Sequence, residues 1–290
     1  METYCGTVGI IGRANVGKST LLNEILGVKV SATSSKPQTT QKQILGIYTD
    51  NNKQLVFLDT PGFHQGQKKY SNRLMNKVAR STIEEAEILL WVIDSAHFNH
   101  DDQAILQKLI LQKKPVIVAL NKKDQVSQED LFKLTAKLAL DLPTADFVPC
   151  SAKHHQGINE ILNILLNLLM PQAFLFSPEE ITYQTEKNYA AEMIREKIMR
   201  YTGQEIPYIC QIEIEEYLVK NEIIHILATI WVNKESQKGI LVGKNGMKLK
   251  EIGQEARLSL EKFWEQKVFL KLWVKVKKAG FMLPKENDFI

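Results

Sequence analysis

The sequence is poor in cysteine. Its 290 residues include three cysteines, and Cys5, Cys150 and Cys210 are too far apart in the chain to form a Cys-x-x-Cys pair. This spacing excludes the usual disulfide frameworks and cysteine-based zinc sites. We therefore expect reduced thiols in or near the core of a protein from a reducing compartment.

Long apolar runs and a secretion signal are also lacking. The longest apolar stretches, such as residues 88–93 and 161–170, are far shorter than the roughly 18–20 residues that cross a bilayer. The N-terminus has no basic segment followed by an apolar run, so it does not resemble a signal peptide. These features predict a cytoplasmic protein.

The charge has no strong excess of one sign. Lysine and arginine number 37 and aspartate and glutamate 33, which gives a net charge of +4. Such a mild basic excess permits nucleic-acid binding but does not indicate it, so the position of the charges matters more than their sum. With 44% hydrophobic residues and this length, we expect a soluble protein of two domains.

Residues 1–170 alternate short apolar runs with helical patterns. Runs that are apolar at nearly every position are typical of strands buried on both faces of a parallel sheet. The first part of the chain is therefore predicted to be an α/β domain with a doubly wound, mostly parallel sheet. The predicted strands are 7–11, 55–58, 88–93, 116–120 and 147–150, and the predicted helices are 18–26, 71–85, 102–112, 128–140 and 158–169.

The pattern changes after Pro171, and residues 171–182 read as a linker. Residues 183–290 are predicted to form a smaller α+β domain, with helices 189–200 and 247–263, strands 209–215 and 223–232, a glycine-bearing turn at 239–246 and a final strand. In the final strand, apolar residues from Val268 to Val276 alternate with Phe269, Lys271, Trp273, Lys275 and Lys277. This alternation predicts an antiparallel or edge strand with one wet face.

Residues 12–19 read Gly-Arg-Ala-Asn-Val-Gly-Lys-Ser and lie between a predicted strand and a predicted helix. This is the P-loop pattern in its required context. The glycines allow backbone N–H groups to converge on phosphate oxygens, Lys18 can reach the β- and γ-phosphates, and Ser19 can bind Mg²⁺. The predicted phosphate contacts are Gly12, Asn15, Val16, Gly17, Lys18, Ser19 and Thr20.

Three further segments each follow a predicted strand and narrow the nucleotide to GTP or GDP. Residues 59–62 read Asp-Thr-Pro-Gly, where Asp59 can hold Mg²⁺ and the Gly62 N–H can sense the γ-phosphate. In 121–124, Asp124 can accept hydrogen bonds from guanine N1–H and the 2-amino group, and adenine offers neither donor in that geometry. In 151–153, a backbone N–H can contact guanine O6. The predicted guanine contacts are Asn121, Lys122, Asp124, Ser151, Ala152 and Lys153.

The polar segment 31–42 contains Pro-Gln-Thr-Thr and is predicted to be ordered by GTP. Thr40, with Thr39 as the alternative, can bind Mg²⁺ and the γ-phosphate; a plain solvated loop is the other interpretation. Ras-like switches place a water-orienting glutamine where this chain has Phe63, so we expect slow intrinsic hydrolysis. The predicted catalytic groups are Lys18, Thr40, Asp59 and Gly62, and the predicted metal ligands are Ser19, Thr40 and Asp59.

Together these four motifs resemble the TrmE-Era-EngA type of bacterial GTPases, which carry a hydrophobic residue at the Phe63 position. The resemblance implies that Asn15 helps to hold a potassium ion in place of an arginine finger; a role in bracing the loop is the alternative. The family has an arginine after the threonine pair, whereas this chain has Gln41 followed by Lys42.

A second informative segment, Gly-Lys-Asn-Gly at 243–246, precedes a predicted helix. A GxxG loop at a helix start lets a nucleic-acid backbone approach closely, as in KH domains. Residues 234–278 hold twelve Lys or Arg against five Glu, so the basic excess of the chain is concentrated there. The lysines of the final strand could instead form an ordinary solvated face. The predicted RNA contacts are Gly243, Lys244, Asn245, Gly246 and Lys248.

A GTPase domain followed by a KH-type domain resembles the Era family in particular. That resemblance implies binding to small-subunit ribosomal RNA near its 3′ end, a role in assembly of the 30S ribosomal subunit, a monomeric state and peripheral association with the inner membrane. A GTPase for tRNA modification fits less well, because that family sets its GTPase domain inside a helical domain and ends in a reactive cysteine, whereas this sequence starts almost directly at the P-loop strand and ends Asp-Phe-Ile. A tandem-GTPase protein fits less well, because only one GTPase pattern is present. A GTP-gated adaptor for a protein or membrane, without RNA binding, is the remaining alternative.

Overall fold

The computed structural model describes residues 2–31, 44–59, 82–182, 184–202 and 210–277. The chain forms two compact units that divide between Gln184 and Thr185. In the described part of the chain, no helix combines the length and the apolar character that crossing a membrane requires.

The first unit is built on a largely parallel sheet. Its strands are β1 (Tyr4–Ile11), β2 (Ile44–Asp50), β3 (Lys53–Asp59), β4 (Ile88–Asp94), β5 (Val116–Asn121), β6 (Asp146–Pro149) and the short β7 (Met170–Pro171). The order is β2-β3-β1-β4-β5-β6, and β1 pairs in parallel with both β3 and β4. The chain thus proceeds to both sides of β1, which makes the carboxyl end of β1 a switch point where open α/β sheets bind ligands.

The central parallel strands of this sheet are buried on both faces. Every residue of β4 and β5 is buried, as expected for strands covered on both faces. Trp91 of β4 is fully buried and meets the ring of Phe98 edge-on at 6.3 Å between centroids. Helices of nine or more residues in the described part of this unit are α1 (Lys18–Leu26), α2 (His100–Leu109), α3 (Gln128–Asp141) and α4 (Ile158–Asn167). The α/β prediction is confirmed.

Strands β2 and β7 were not predicted from the sequence. Strand β2 pairs antiparallel with β3, and β7 pairs antiparallel with the first residues of β1. The β2 segment mixes polar and apolar residues, and β7 is only two residues long, so neither shows the continuous apolar run by which the other strands were predicted. The residues after β7, predicted as a linker, are hydrogen-bonded to the first unit, because Gln54 Oε1 accepts from the backbone N–H groups of Leu175 and Phe176.

The second unit consists of α5 (Glu186–Tyr201), β8 (Gln211–Lys220), β9 (Ile223–Val232), α6 (Glu235–Val242), α7 (Met247–Trp264) and β10 (Lys267–Val276). Its sheet has the order β10-β9-β8; β10 is parallel to β9 and β8 is antiparallel to it. One face packs against all three helices. The shared core includes Ile194 and Ile198 of α5, Leu241 of α6, Ile252 and Ala256 of α7, and Ala228, Ile230 and Val274 of the sheet.

Three details of the predictions need correction. The predicted turn at 239–246 is a turn only from Gly243, because residues 235–242 form α6, whose start is capped by Gln237 Oε1 accepting from the backbone N–H groups of Asn233 and Lys234. The final strand is an edge strand as predicted, but its partner is parallel. Strand β6 ends at Pro149, so Cys150 follows it.

The three cysteines are free and buried, as expected. Burial raises the pKa of the Cys150 thiol to about 12, which keeps it protonated and unreactive at neutral pH.

Candidate functional site

The loop between β1 and α1 is pressed against the ends of two neighbouring strands. Gly12 has φ 150°, and a Cβ atom there would lie 2.3 Å from the carbonyl oxygen of Val92 in β4. Gly17 has φ 103°, and its Cβ would lie 2.3 Å from Nδ2 of Asn121 in β5. Both positions therefore require glycine, for backbone conformation and for space. The result is a tight loop that opens on the N-terminus of α1.

Lys18 is the first residue of α1 and is 7% exposed. Its Nζ donates to the carbonyl oxygens of Gly12 and Arg13 at 3.1 and 2.8 Å, so the ammonium group lies inside the curl of the loop. The first turn of α1 contains no acidic residue. A buried positive charge beside a helix N-terminus fits a phosphate group.

Asn121, the last residue of β5, joins the phosphate loop to a third segment. Its Nδ2 donates to the Val16 carbonyl at 2.7 Å, and its Oδ1 accepts from the backbone N–H of Ala152 at 2.9 Å. The side chain is almost fully buried. A single side-chain amide at the end of β5 therefore fixes the phosphate loop and the turn at Ala152 relative to each other, although the three segments are far apart in sequence.

Asp124 lies in a short 3₁₀ turn after β5, and Ser151 Oγ donates to its Oδ1 at 2.5 Å. This hydrogen bond is the main reason why the pKa of Asp124 is lowered, and His154, 3.7 Å from Oδ2, contributes. The carboxylate therefore stays ionised as a hydrogen-bond acceptor, while its side chain remains 26% exposed and accessible to a ligand. An ionised acceptor next to backbone N–H groups fits the donor and acceptor pattern of guanine.

A charge cluster that the sequence analysis missed connects this turn to the phosphate loop. Asp94, at the end of β4, accepts from Lys122 Nζ at 2.7 Å and lies 3.7 Å from Arg13 Nη2. Arg13 Nε donates to the fully buried Asp102 at 2.9 Å. Burial raises the pKa of Asp102, and Arg13 opposes that shift. The signal was present in the sequence, since Asp94 closes a buried strand just as Asp59 and Asn121 do.

The other predicted nucleotide contacts divide into two groups. Asn15 has φ 63° within the loop, Ser19 and Thr20 belong to the first turn of α1, and Lys153 lies in a 3₁₀ turn after Ser151. Asp59 ends β3 and pairs in register with Ile10, near the phosphate loop. The predicted switch residues Thr39, Thr40, Gln41 and Lys42, together with Gly62 and Phe63, lie outside the described residues.

The GxxG segment of the second unit connects α6 to α7. Gly243 has φ 70° and Gly246 has φ 76°, and Gly246 forms the N-cap of α7. A Cβ at Gly243 would lie 2.7 Å from Cβ of Lys248, whereas Gly246 faces open space. Lys244 and Asn245, between the glycines, are exposed. An exposed basic loop at a helix start without acidic residues in its first turn fits a phosphodiester backbone.

Comparisons with known proteins agree with this geometry. Residues 7–122 match the family model described as 50S ribosome-binding GTPase, and residues 205–280 match the KH domain model. The chain is 43% identical over 278 residues to GTPase Era of Pasteurella multocida, an alignment that covers 95% of this chain and 91% of that protein. It is also 43% identical over 276 residues to GTPase Era of Coxiella burnetii, covering 95% and 93%.

Two solved structures are similar over almost the whole chain. Era in complex with MgGDPNP and nucleotides 1506–1542 of 16S ribosomal RNA has a TM-score of 0.89 and 36% identity, covering 96% of this chain and 95% of that one. A variant of Aquifex aeolicus Era bound to GDP and AlF4⁻ matches with the same TM-score, identity and coverage. A P-loop GTPase domain is thus followed by a KH domain, and the chain belongs to the Era family of GTPases.

Proposed function

We propose that this chain is a GTP-hydrolysing switch that binds small-subunit ribosomal RNA near its 3′ end and acts in assembly of the 30S ribosomal subunit. The observation that carries the proposal is the presence, in one chain, of the three-loop site held by Asn121 and the exposed GxxG loop of a KH domain. A relative that is similar over the whole chain was solved with MgGDPNP and 16S ribosomal RNA, which supports both halves of the proposal.

In the proposed nucleotide site, each loop has its own task. The phosphates lie on the backbone N–H groups of the β1–α1 loop, and Lys18 offsets the negative charge of the β- and γ-phosphates. Asp124 accepts from guanine N1–H and the 2-amino group, and the 151–153 turn donates to O6. The full proposed set is Gly12, Asn15, Val16, Gly17, Lys18, Ser19, Thr20, Asp59, Asn121, Lys122, Asp124, Ser151, Ala152 and Lys153.

Hydrolysis depends on the groups that contact the γ-phosphate and its metal ion. When bound, Mg²⁺ draws charge from the phosphate oxygens, and Ser19, Asp59 and Thr40 are the residues proposed to hold it. Gly62 contacts the γ-phosphate through its N–H. Since Phe63 cannot orient a water molecule, intrinsic turnover is slow. Asn15, which lies in the loop with φ 63°, is proposed to hold a potassium ion on the strength of family membership.

The proposed domains are a GTPase domain at 1–170, a linker at 171–182 and a KH domain at 183–290. On the strength of family membership, we further propose that the protein is monomeric, lies in the cytoplasm and associates peripherally with the inner membrane. GTP orders the switch segment 31–42 and thereby favours the RNA-bound arrangement, and hydrolysis releases the RNA.

The test is RNA binding as a function of nucleotide and salt. The probe is the single-stranded 3′ end of small-subunit ribosomal RNA, compared with a scrambled RNA of the same length, in the presence of GDPNP or GDP. The proposal predicts tighter binding with GDPNP, and identical affinities in both states would refute the coupling. The variant is Lys244→Gln, because Gly243 has no room for a side chain.

Lys244→Gln is expected to weaken binding and to lower the slope of log K against log salt by about 0.7, the value for one phosphate contact on a single strand. Lys133, an exposed lysine of the GTPase domain, is the control; Lys133→Gln should leave the slope unchanged. Absence of RNA binding in the wild type would instead favour a GTP-gated adaptor.

A further inference from the structure

One face of the KH-domain sheet carries a regular pattern that the GxxG loop does not use. The odd-numbered residues of β10 and the residue after it read Lys, Phe, Lys, Trp, Lys, Lys from position 267 to 277, with no acidic residue between them. We call this surface the basic-aromatic face; it consists of Lys267, Phe269, Lys271, Trp273, Lys275 and Lys277. Of the even-numbered residues, Val268 and Val274 are buried, and Leu270, Leu272 and Val276 are partly buried and pack against the core under the helices. The basic-aromatic face is therefore the side of the sheet opposite α5, α6 and α7.

The two aromatic rings of this face are accessible. Phe269 is 55% exposed and Trp273 is 47% exposed, unusual values for large rings on a sheet. They lie four residues apart on one strand, which corresponds to about 13 Å, and Lys271 stands between them. Lys271 Nζ lies 4.9 Å from the centre of the Trp273 ring, so the cation and the aromatic surface form one unit.

The neighbouring strand extends the face. His225 of β9 packs beside Phe269 with ring centres 5.4 Å apart, and Trp231 of β9 lies 5.5 Å from Lys275 Nζ. The aromatic surface is thus two strands wide along the β10 edge of the sheet.

Acidic residues occur on this side of the sheet, but on the distant strand β8. Glu213 accepts from Trp231 Nε1 at 2.7 Å, and Glu215 accepts from Thr229 Oγ1 at 2.6 Å and from Lys275 Nζ at 3.0 Å. Glu213 therefore holds Trp231 in place, and Glu215 holds Lys275. Glu216 is the third carboxylate of β8 on this side of the sheet. Lys275 is thus paired with Glu215, whereas in the described part of the chain neither Lys267 nor Lys271 forms an ion pair, so this part of β10 keeps its positive charge.

We propose that the basic-aromatic face is a second RNA-contact surface, on which bases of a single strand stack on Phe269 and Trp273 while the lysines contact phosphates. This rests on the proposed RNA-binding function and extends it to a site other than the GxxG loop. Alternation of rings and lysines matches a polynucleotide, in which bases alternate with phosphates. A partner protein with an apolar face would have to bury Lys267 and Lys271 without counter-charges, which is unfavourable.

The position of the face predicts which RNAs use it. The GxxG loop joins α6 and α7, and both helices pack on the opposite side of the sheet. An RNA strand held by the loop must therefore pass around the sheet to reach the basic-aromatic face. An RNA of about six nucleotides fills the loop site, which holds about four, and does not extend to the rings. An RNA of about 20 nucleotides can occupy both surfaces.

The experiment compares these two RNA lengths on the full chain with Trp273→Ala and with Lys267→Gln/Lys271→Gln. Trp273→Ala is expected to weaken binding of the long RNA roughly 5- to 150-fold, the range for loss of one stacked base, and to leave the short RNA unchanged. For the long RNA, the double lysine variant is expected to lower the slope of log K against log salt by about 1.4. For the short RNA, it is expected to leave that slope unchanged. Lys244→Gln should weaken the binding of both RNAs.

Controls separate the possible outcomes. Phe132→Ala removes a ring that is 74% exposed on α3 of the GTPase domain and should change neither affinity. Circular dichroism and thermal melting of Trp273→Ala show whether the sheet is intact. Equal affinity of wild type and Trp273→Ala for the long RNA overturns the proposal. A contact surface for a protein partner is then the remaining interpretation of the face. If the wild type binds neither RNA, the proposed RNA-binding function itself fails.

Discussion

Gly17→Ala tests whether the phosphate loop and β5 are locked together as the structure indicates. The new Cβ would lie 2.3 Å from Asn121 Nδ2, and a backbone φ of 103° is unfavourable for alanine. Gly27, at the other end of α1, is a matched control: its φ is 68°, and no atom lies within 4 Å of the position that an alanine methyl group would take there. Both changes carry the backbone penalty of about 1–2 kcal/mol, but only Gly17→Ala also displaces Asn121.

The additional destabilisation can be worked out from the hydrogen bonds of Asn121. Displacing this buried amide breaks the bond to Val16 and the bond from Ala152, at 2.7 and 2.9 Å. Each buried group left without a partner costs about 1–3 kcal/mol. With the backbone penalty included, Gly17→Ala should therefore lower the free energy of unfolding of the GTPase domain by about 3–8 kcal/mol, against about 1–2 kcal/mol for Gly27→Ala.

Hydrogen exchange of the α1 amides measures this free energy in the GTPase domain without interference from the KH domain. The loop must also keep its curl to bind phosphate, so GDP binding to Gly17→Ala should be at least about tenfold weaker, a change of about 1.4 kcal/mol. If the two variants differ by less than about 0.5 kcal/mol in stability and bind GDP equally, Asn121 does not constrain the loop and the reasoning is wrong.

Four further predictions concern the guanine side of the site. Asp124→Asn should lower GDP affinity by about 100-fold or more and favour xanthosine diphosphate, whose 2-oxo group accepts from the new amide; equal loss for both nucleotides contradicts the assigned role. The hydrogen bond from Ser151 lowers the pKa of Asp124, so its stabilising effect is present above the ordinary pKa of 3.8 and is lost only as the pH falls through the lower folded value. In Ser151→Ala, GDP affinity titrated downward in pH should therefore begin to fall at a higher pH than in the wild type. Asp94→Asn should destabilise the GTPase domain by about 1–3 kcal/mol, seen by thermal melting, because Lys122 loses a charged partner. Cys150 should resist a thiol reagent at pH 8 until the protein is unfolded, and rapid labelling of the native chain would contradict its burial.

Much of the fold was predictable because its signals are local. Continuous apolar runs identified the buried parallel strands, and the even-numbered apolar residues of β10 identified its core face. The β2 and β7 strands were not predictable, since an antiparallel edge strand and a two-residue strand are stabilised by their partners rather than by their own composition. The same reason accounts for α6, whose apolar residues looked like the approach to a turn until Leu241 was seen to pack into the core.

The sequence by itself determined which chemical groups are available: a lysine at the start of a helix after a glycine loop, carboxylates and amides at strand ends, and a basic segment around a GxxG loop. Motif spacing suffices for that, because each motif needs only a strand or a helix directly beside it. Only the tertiary structure decided how the groups act together. It placed Asn121 between two loops and Asp94 between Arg13 and Lys122, because residues distant in sequence meet where parallel strands end at one edge of the sheet.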